Sequence, residues 1–187
     1  MMIKPTLLLL LVVFIIHCKQ TTNSKPNIVN PDNQVQQLSV QTEEEKIIRS
    51  MRQRYNEAIQ LHDTMGITTV WGNDFEMLTS RNQQIKGIEN NRRLFIKEFK
   101  ERPNVKYTRT PTEVKPFPQW RMASEYGVWQ GQWSEPDGLV MIKGTYYAKW
   151  HFTGHEWKLR MEVFTAESCQ GSKFCDQVPI LEEAKDF

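Results

Sequence analysis

Three long stretches near the carboxyl end constrain the fold more than any other feature of this chain. The first, ASEYGVWQGQW over residues 123–133, places Glu125, Trp129 and Trp133 on one side of an extended strand, because side chains alternate between the two faces of a strand. A Pro-Asp-Gly turn and a Thr-Gly turn separate it from VMIKGTYYAKWHF and EWKLRMEVF. Such short turns predict an antiparallel meander. The three strands hold most of the chain's tryptophan, so we expect this meander to form the core.

Composition and charge restrict the class of protein. The chain has 187 residues, of which 39% are apolar and 25% charged, values typical of a soluble globular domain with appendages. Lysine plus arginine number 24 against 22 for aspartate plus glutamate, and the two signs are interspersed. A nucleic-acid-binding surface needs a marked basic excess on one face, so we expect no nucleic-acid partner.

The amino terminus has the features of an export signal. Lys4 precedes ten consecutive apolar residues, 7–16. This length is typical of the hydrophobic region of a secretory signal and shorter than the roughly 20 residues that span a bilayer. We therefore predict a signal peptide over residues 1–17 and an exported protein.

A cysteine follows this hydrophobic run directly, in the sequence IIHC. Its position resembles the lipobox of bacterial lipoproteins, in which the cysteine becomes the first residue and carries lipid. The resemblance implies lipidation of Cys18, with a membrane as partner and the domain on the periplasmic side or the cell surface. His17 departs from the small residue usual before that cysteine. The alternative is ordinary signal cleavage, with Cys18 lost or incidental.

Residues 18–42 are rich in Gln, Asn, Thr, Ser and Pro and show no apolar periodicity. Such a segment cannot bury enough apolar surface to offset the entropy lost on ordering. We therefore predict a flexible tether between the amino terminus and the folded domain.

Two further cysteines, Cys169 and Cys175, flank the short segment QGSKF. In an oxidising compartment we predict a disulfide between them, because their spacing fits no common zinc pattern. Free thiols are the alternative. The bridge would tie down the first part of a C-terminal tail, residues 171–187.

Helical and extended patterns predict the order of elements before the meander. Thr42 precedes an acidic first turn, and apolar residues then recur at helical spacing, which predicts a capped helix. Asp63 is predicted to cap a shorter helix that continues through Trp71. A hairpin and a third helix, residues 88–102, follow. The segment 105–117 is extended but contains two prolines, so we expect an edge strand.

This order of elements, with the runs GVWQGQW, KGTYYAKW and EWKLRMEVF, resembles the NTF2-like superfamily and within it the SnoaL-like and DUF4440 group. The resemblance covers residues 43–170. It implies an α+β cone, in which a strongly curved antiparallel sheet packs on three N-terminal helices around an internal cavity. Members include ketosteroid isomerases, polyketide cyclases, dehydratases and noncatalytic binding modules, so the fold alone does not assign a function.

The ketosteroid isomerases offer a comparison of catalytic residues. Residues 53–80 can be aligned with them without a gap, which places Tyr55 at their oxyanion-hole tyrosine. Thr79 and Ala148, however, stand where that family has its aspartate base and its protonated aspartate. Proton abstraction next to a carbonyl needs a base and a donor facing each other across the substrate. Two of the three groups are missing, which favours Tyr55 as a core residue with its hydroxyl towards the cavity.

The same resemblance implies which side chains line the cavity. The predicted ligand-binding residues are Tyr55, Met77, Thr79, Glu125, Tyr146, Trp150, Arg160 and Glu162. Isolated charges are costly to bury, so Arg160 is predicted to pair with Glu125 and Glu162. In the alternative the last strand has the opposite parity, with Arg160 and Glu162 in solvent and Leu159 and Met161 packed on the helices.

Two functions from different classes follow. The first is a tethered module that binds a small amphipathic molecule, with the polar end of that molecule on Arg160. The second is an isomerase, cyclase or dehydratase that uses Asp74, Glu125 or Glu162 as acid or base. Carboxylates neutralised by a cation would favour binding, whereas a pocket carboxyl with a raised pKa beside a hydrogen-bond donor would favour the enzyme.

Other partners are predicted from weaker features. The histidines lack the spacing of a metal triad and no cofactor motif stands out, so we expect neither metal nor cofactor. The convex face of the sheet often carries a dimer interface in this superfamily. A homodimer through that face is therefore a further expectation.

Overall fold

The computed structural model describes residues 41–177. The predicted signal peptide, Cys18, nearly all of the predicted tether and the tail beyond residue 177 lie outside the described residues. The elements are α1 (Glu43–Gln60), α2 (Thr64–Thr69), β1 (Trp71–Leu78), β2 (Gln84–Lys86), α3 (Ile88–Glu101), β3 (Lys106–Phe117), β4 (Met122–Glu135), β5 (Gly138–Phe152) and β6 (Trp157–Gln170). No helix in this part of the chain is both long and apolar enough to cross a membrane.

The strands form one curved sheet in the order β2-β1-β6-β5-β4-β3. The predicted meander is confirmed, because β4, β5 and β6 pair antiparallel in sequence. The prediction of a wholly antiparallel sheet is wrong, since β1 runs parallel to β6. A parallel pair needs a long connection, which β2, α3 and β3–β5 supply here, whereas a tight turn allows only an antiparallel pair.

Side-chain caps start the first two helices where the sequence predicts. Thr42 Oγ1 accepts a hydrogen bond of 3.2 Å from the backbone N–H of Glu45. Asp63 Oδ1 accepts bonds from two backbone N–H groups at the start of α2, at 3.1 and 2.9 Å. These bonds satisfy donors that a helix leaves free at its amino end. α2 ends at Thr69, so Trp71, predicted to lie in this helix, instead begins β1 and stacks on Phe75 at 4.5 Å.

The predicted edge strand is confirmed as β3, and α1 covers its outer edge. Asn56 bonds both backbone groups of Arg109, accepting from its N–H at 3.1 Å and donating to its carbonyl at 2.8 Å. Gln60 donates to the Tyr107 carbonyl at 3.1 Å, and Arg49 donates to the Pro111 carbonyl at 3.0 Å. Backbone groups that an edge strand would leave unpaired are thereby satisfied.

A bulge in β6 decides which side chains face the helices. Trp150 pairs with Leu159 and Lys149 pairs with Met161, which leaves Arg160 as an extra residue without a partner on β5. An extra residue reverses the alternation of the strand. Leu159 is buried before the bulge and Glu162 is buried after it. Of the two orientations predicted for this strand, the one that buries Leu159 therefore holds before the bulge, and the one that buries Glu162 holds after it.

The predicted disulfide between Cys169 and Cys175 is present. It closes a short loop that carries Phe174, whose ring meets the ring of Trp133 edge-on at 4.8 Å between centroids. The loop therefore extends the apolar interior beyond the end of β6.

The outer face of the sheet exposes large apolar side chains. Tyr126 and Tyr147 are neighbours in the register of β4 and β5, and with Val128 and Met161 they are between 38% and 47% exposed. A contiguous apolar surface of this kind is typical of an interaction site. The homodimer stays a prediction, which light scattering of the purified domain would test.

Candidate functional site

A buried ion-pair cluster joins α1 to the inner face of the sheet. Arg52, on α1, donates from Nε to Glu125 Oε1 at 2.8 Å and from Nη1 to Glu162 Oε1 at 2.6 Å. The arginine side chain is 1% exposed and both glutamates are fully buried. We call Arg52, Glu125 and Glu162 the arginine cluster. Three elements distant in sequence, α1, β4 and β6, meet in it.

Aromatic donors complete the hydrogen bonding of both carboxylates. Tyr55 donates to Glu162 Oε2 at 3.2 Å. Trp150 Nε1 donates to Glu125 Oε2 at 2.6 Å, and Tyr146 donates to Glu125 Oε1. The Arg52 guanidinium lies 5.2 to 5.4 Å from the centroids of these three rings, a distance at which a cation is attracted to an aromatic face. The oxygens of both carboxylates are thus occupied by donors of the protein itself.

A glycine on β4 makes room for one of these donors. Any Cβ at Gly127 would lie 2.8 Å from the Tyr146 ring and 2.3 Å from the Thr110 carbonyl oxygen. Both distances are shorter than real side-chain contacts allow. The small residue therefore lets the Tyr146 ring lie flat against β4, from where it reaches Glu125.

Burial and charge together set the protonation of Arg52 and of the two tyrosines that donate to the cluster. Burial by itself would lower the pKa of Arg52, but the attraction of Glu125 and Glu162 outweighs it and raises that pKa above its ordinary value. Burial, reinforced by the nearby carboxylates, raises the pKa of Tyr55 and that of Tyr146. The arginine is therefore a cation and both phenols are neutral donors at physiological pH.

The arginine of this cluster is Arg52, and the prediction that Arg160 pairs with Glu125 and Glu162 is wrong. Arg160 is the bulge residue of β6; its side chain is 34% exposed and pairs with Asp74, and its Nη1 lies 3.0 Å from His151 Nδ1. The bulge turns it away from the two glutamates. A sequence signal for the other arginine existed, because position 52 follows Ile48 by four residues and precedes Tyr55 by three, the spacing of one helix face.

Next to the arginine cluster lies a cavity of about 220 Å³. Its aromatic walls are Phe95, Tyr107, Trp129, Trp133, Phe164 and Phe174. Met77, Leu94 and Ile142 add aliphatic surface, and Thr79 lies at its border. Charged lining residues are three arginines, Arg81, Arg102 and Arg109, and one glutamate, Glu98.

The structure separates the predicted ligand-binding residues into three groups. Met77 and Thr79 line the cavity. Tyr55, Glu125, Tyr146, Trp150 and Glu162 belong to the arginine cluster and its donors, all between 0% and 2% exposed. Arg160 contacts neither group. Asp74, one of the three predicted acids or bases, pairs with Arg160 and is 56% exposed, away from the cavity lining.

A second polar network borders the cavity. Glu98 accepts from Tyr107 at 2.7 Å and from Arg102 at 2.6 Å. Glu135 accepts from Arg102 at 3.2 Å and from Trp133 Nε1 at 2.7 Å. Burial and the neighbouring Glu98 raise the pKa of Tyr107. Arg102 is therefore paired with both carboxylates of this network, Glu98 and Glu135.

Arg109, on β3, lies between the arginine cluster and the cavity and was missed by the sequence reasoning. It is 5% exposed, its Nε is 3.8 Å from Glu162 Oε1, and it belongs to the cavity lining. Its guanidinium lies 5.2 Å from the Tyr55 centroid and 5.0 Å from the Phe164 centroid. Buried Nε and Nη1 make no hydrogen bond. Its position in a proline-containing edge strand carries no sequence signal of burial.

Within residues 41–177, no three His, Cys, Asp or Glu side chains are grouped closely enough to hold a metal ion. In the arginine cluster, N–H and O–H groups surround the two carboxylates and donate hydrogen bonds to them.

Neither a protein-family model nor a curated protein sequence matches the chain. Solved structures do. A ketosteroid isomerase-like protein from Erwinia carotovora atroseptica is 13% identical with a TM-score of 0.59, over 68% of this chain and 99% of that one. A type 2 hexachlorocyclohexane dehydrochlorinase is also 13% identical, with a TM-score of 0.58 over 68% of this chain and 87% of that one. The chain has the NTF2-like fold.

A third solved structure carries no function in its name. It is a domain of unknown function with a cystatin-like fold from Nostoc punctiforme, 12% identical with a TM-score of 0.56, over 69% of this chain and 80% of that one. At these identities the likeness establishes the fold and leaves the chemistry to the residues of the site.

Within the NTF2-like fold, the carboxylates of this chain flank the position where the resemblance to ketosteroid isomerases implies an acid. Ala148 on β5 pairs in register with Glu125 on β4 and with Glu162 on β6. The small alanine leaves the space between the two glutamates to Arg52. A cation thus occupies the inner part of the fold, beside the cavity.

Proposed function

We propose that this protein is a binding module that holds a small amphipathic molecule in the cavity beside the arginine cluster. The observation that carries this proposal is the lining, in which six aromatic rings surround about 220 Å³ of space with a few charged groups. Apolar walls with a small number of placed polar groups are typical of small-molecule sites. The volume is below the roughly 300 to 1,000 Å³ of sites for drug-sized ligands, so a compact ligand is expected.

The state of the carboxylates supports binding over catalysis. A general base must reach the proton that it removes, but Glu125 and Glu162 are fully buried and surrounded by donors of the protein. Arg52 pairs with both of them, and Arg109 lies 3.8 Å from Glu162 as a second cation. Asp74 is engaged with Arg160 at the surface.

An isomerase or dehydratase is the second candidate. The contact between Tyr55 and Glu162, at 3.2 Å, favours it, since it joins a phenol and a carboxylate in a fold shared with a ketosteroid isomerase-like protein and a dehydrochlorinase. For this chemistry the cluster would have to open towards the cavity. Substrate turnover that persists in Glu162→Gln would exclude Glu162 as the base.

A neutral fused-ring alcohol, 2-naphthylmethanol, provides a direct test of the cavity. We expect it to bind the domain. Binding should change the fluorescence of Trp129 and Trp133, which line the site. Ile142→Trp should weaken its binding at least about tenfold, a change of about 1.4 kcal/mol, because the larger ring fills the space beside Ile142.

The matched control is Met141→Trp. Met141 precedes Ile142 on the same strand but is 42% exposed on the opposite face of the sheet. Equal binding by the two variants, or no binding by the unmodified protein, would contradict the proposed site.

We further propose that the domain is tethered to a membrane through lipid on Cys18. The proposal rests on Lys4, on the apolar run that follows it and on the position of the cysteine. Cys18→Ser should move the protein from the membrane fraction of its host to the soluble fraction. His17→Ala is the control, because it retains the cysteine. Retention of the serine variant in the membrane would contradict lipid anchoring.

A further inference from the structure

Arg109 is the one cavity-lining arginine whose buried donors lack partners within residues 41–177. Arg102 is engaged by Glu98 and Glu135, whereas Nε and Nη1 of Arg109 are buried and make no hydrogen bond. A buried donor without a partner is unfavourable by roughly 1 to 3 kcal/mol. Native proteins seldom retain such groups without a use for them.

The position of Arg109 is maintained by its surroundings. Asn56 bonds both its N–H and its carbonyl, and the rings of Tyr55 and Phe164 lie 5.2 and 5.0 Å from the guanidinium carbon. The guanidinium is therefore oriented before any ligand arrives. Preorganised donors lose less entropy on binding than mobile ones do.

The charges around Arg109 favour an acidic ligand. Arg52 takes both carboxylates of the arginine cluster through short hydrogen bonds, and Glu162 approaches Arg109 only to 3.8 Å without a hydrogen bond. Of the arginines in the cavity wall, Arg102 is balanced by Glu98 and Glu135, whereas Arg109 has only the long ion pair with Glu162. A neutral polar group could fill one donor, but a carboxylate can accept two parallel N–H bonds from a guanidinium.

We infer that the cavity takes a small aromatic carboxylate, whose oxygens accept hydrogen bonds from the Arg109 guanidinium while its ring packs against Trp129 and Phe164. The inference rests on the proposed function, since it names the class of ligand for the same cavity. The arginine cluster then has a positioning role: Arg52 takes both glutamates through short hydrogen bonds, so that Glu162 makes only a long ion pair with Arg109 and no hydrogen bond to it.

A matched pair of probes tests this inference. The carboxylate 2-naphthoate and the alcohol 2-naphthylmethanol share one ring system and differ in the polar group. By titration calorimetry of the unmodified domain, 2-naphthoate should bind at least about tenfold more tightly than the alcohol. Arg109→Gln should remove this preference and change the affinity for the alcohol less than about threefold. Arg109→Lys, which retains charge without the planar fork, should restore part of the preference.

The control variant is Arg160→Gln. It also removes one positive charge, but from a side chain that pairs with Asp74 outside the cavity lining, so the preference for 2-naphthoate should persist. Equal affinity of the unmodified protein for both probes would overturn the carboxylate inference, whatever the folding of the variants, and would leave the proposed function intact. Binding of neither probe would overturn both. Loss of the preference in Arg160→Gln to the same degree as in Arg109→Gln would show a general effect of charge and would also overturn the role assigned to Arg109.

Discussion

Replacing Arg52 with methionine should lower the free energy of unfolding by about 3 to 5 kcal/mol, the range observed when one partner of a buried ion pair is removed. The substitution leaves two carboxylates without their cation, and both Glu125 and Glu162 are 0% exposed. Methionine has nearly the length of the aliphatic part of arginine, so the loss comes mainly from charge. Urea denaturation of the variant and of the unmodified domain measures the difference.

Arg160→Met is the matched control. Arg160 is 34% exposed and pairs with the half-exposed Asp74, and pairs of this kind contribute about 0 to 1 kcal/mol. Which of the two variants loses more free energy of unfolding distinguishes the structure from the sequence-based expectation, which assigned the buried pairing to Arg160. A larger loss in Arg160→Met than in Arg52→Met would contradict the arginine cluster.

A double variant separates unpaired charge from lost packing. Arg52→Met combined with Glu125→Gln removes one cation and one anion, and Glu162 keeps Arg109 at 3.8 Å. Neutral replacement of a buried ion pair is often close to neutral in stability. We therefore expect the double variant to regain much of the stability lost in Arg52→Met, and no recovery would mean that packing by the arginine stem dominates.

Stability should fall steeply at alkaline pH because of three wholly or partly buried tyrosines. The pKa values of Tyr55, Tyr107 and Tyr146 are all raised, chiefly by burial, above the ordinary value of about 10. Above about pH 10 the unfolded chain releases phenolic protons that the native protein retains, so rising pH favours unfolding. The stabilisation is complete below about pH 10 and is lost progressively above it. Each such tyrosine contributes a slope of about 1.4 kcal/mol per pH unit, hence up to about 4 kcal/mol per unit for the three.

Denaturation curves between about pH 9 and 12, combined with the ultraviolet absorbance of tyrosinate, measure this effect. Three phenols should ionise only as the protein unfolds. Tyr146→Phe should reduce the slope by about one third, even though loss of its bond to Glu125 also lowers the stability at neutral pH. A slope that is unchanged in Tyr146→Phe would contradict the raised pKa of this group.

Local patterns were sufficient for much of the fold. Thr42 and Asp63 start helices because their side chains satisfy nearby backbone donors, an interaction contained within four residues of sequence. The alternation of β4 was predicted correctly, with Glu125, Trp129 and Trp133 all buried on its inner face. The disulfide followed from the count and spacing of cysteines.

Other features depended on residues brought together from distant parts of the chain. Position 52 was a polar residue in an otherwise apolar helix face, and its burial became evident only when β4 and β6 supplied two carboxylates. The parity of β6 changed at Arg160 because of one extra residue, and either half of the strand read alone is consistent with regular alternation. Phe174 entered the cavity wall through the disulfide loop, beyond the region that resembles the superfamily.

The sequence by itself determined the order of elements, the helix starts, the meander and the disulfide, since these depend on periodicity, turns and contacts between near neighbours. Only the tertiary structure decided the partner of the buried glutamates, the bulge and the cavity with Arg109 in its wall. The physical reason is that desolvation makes a buried charge unfavourable unless a partner is present. Which of several arginines meets that requirement depends on distances between α1, β3, β4 and β6, which no local pattern encodes.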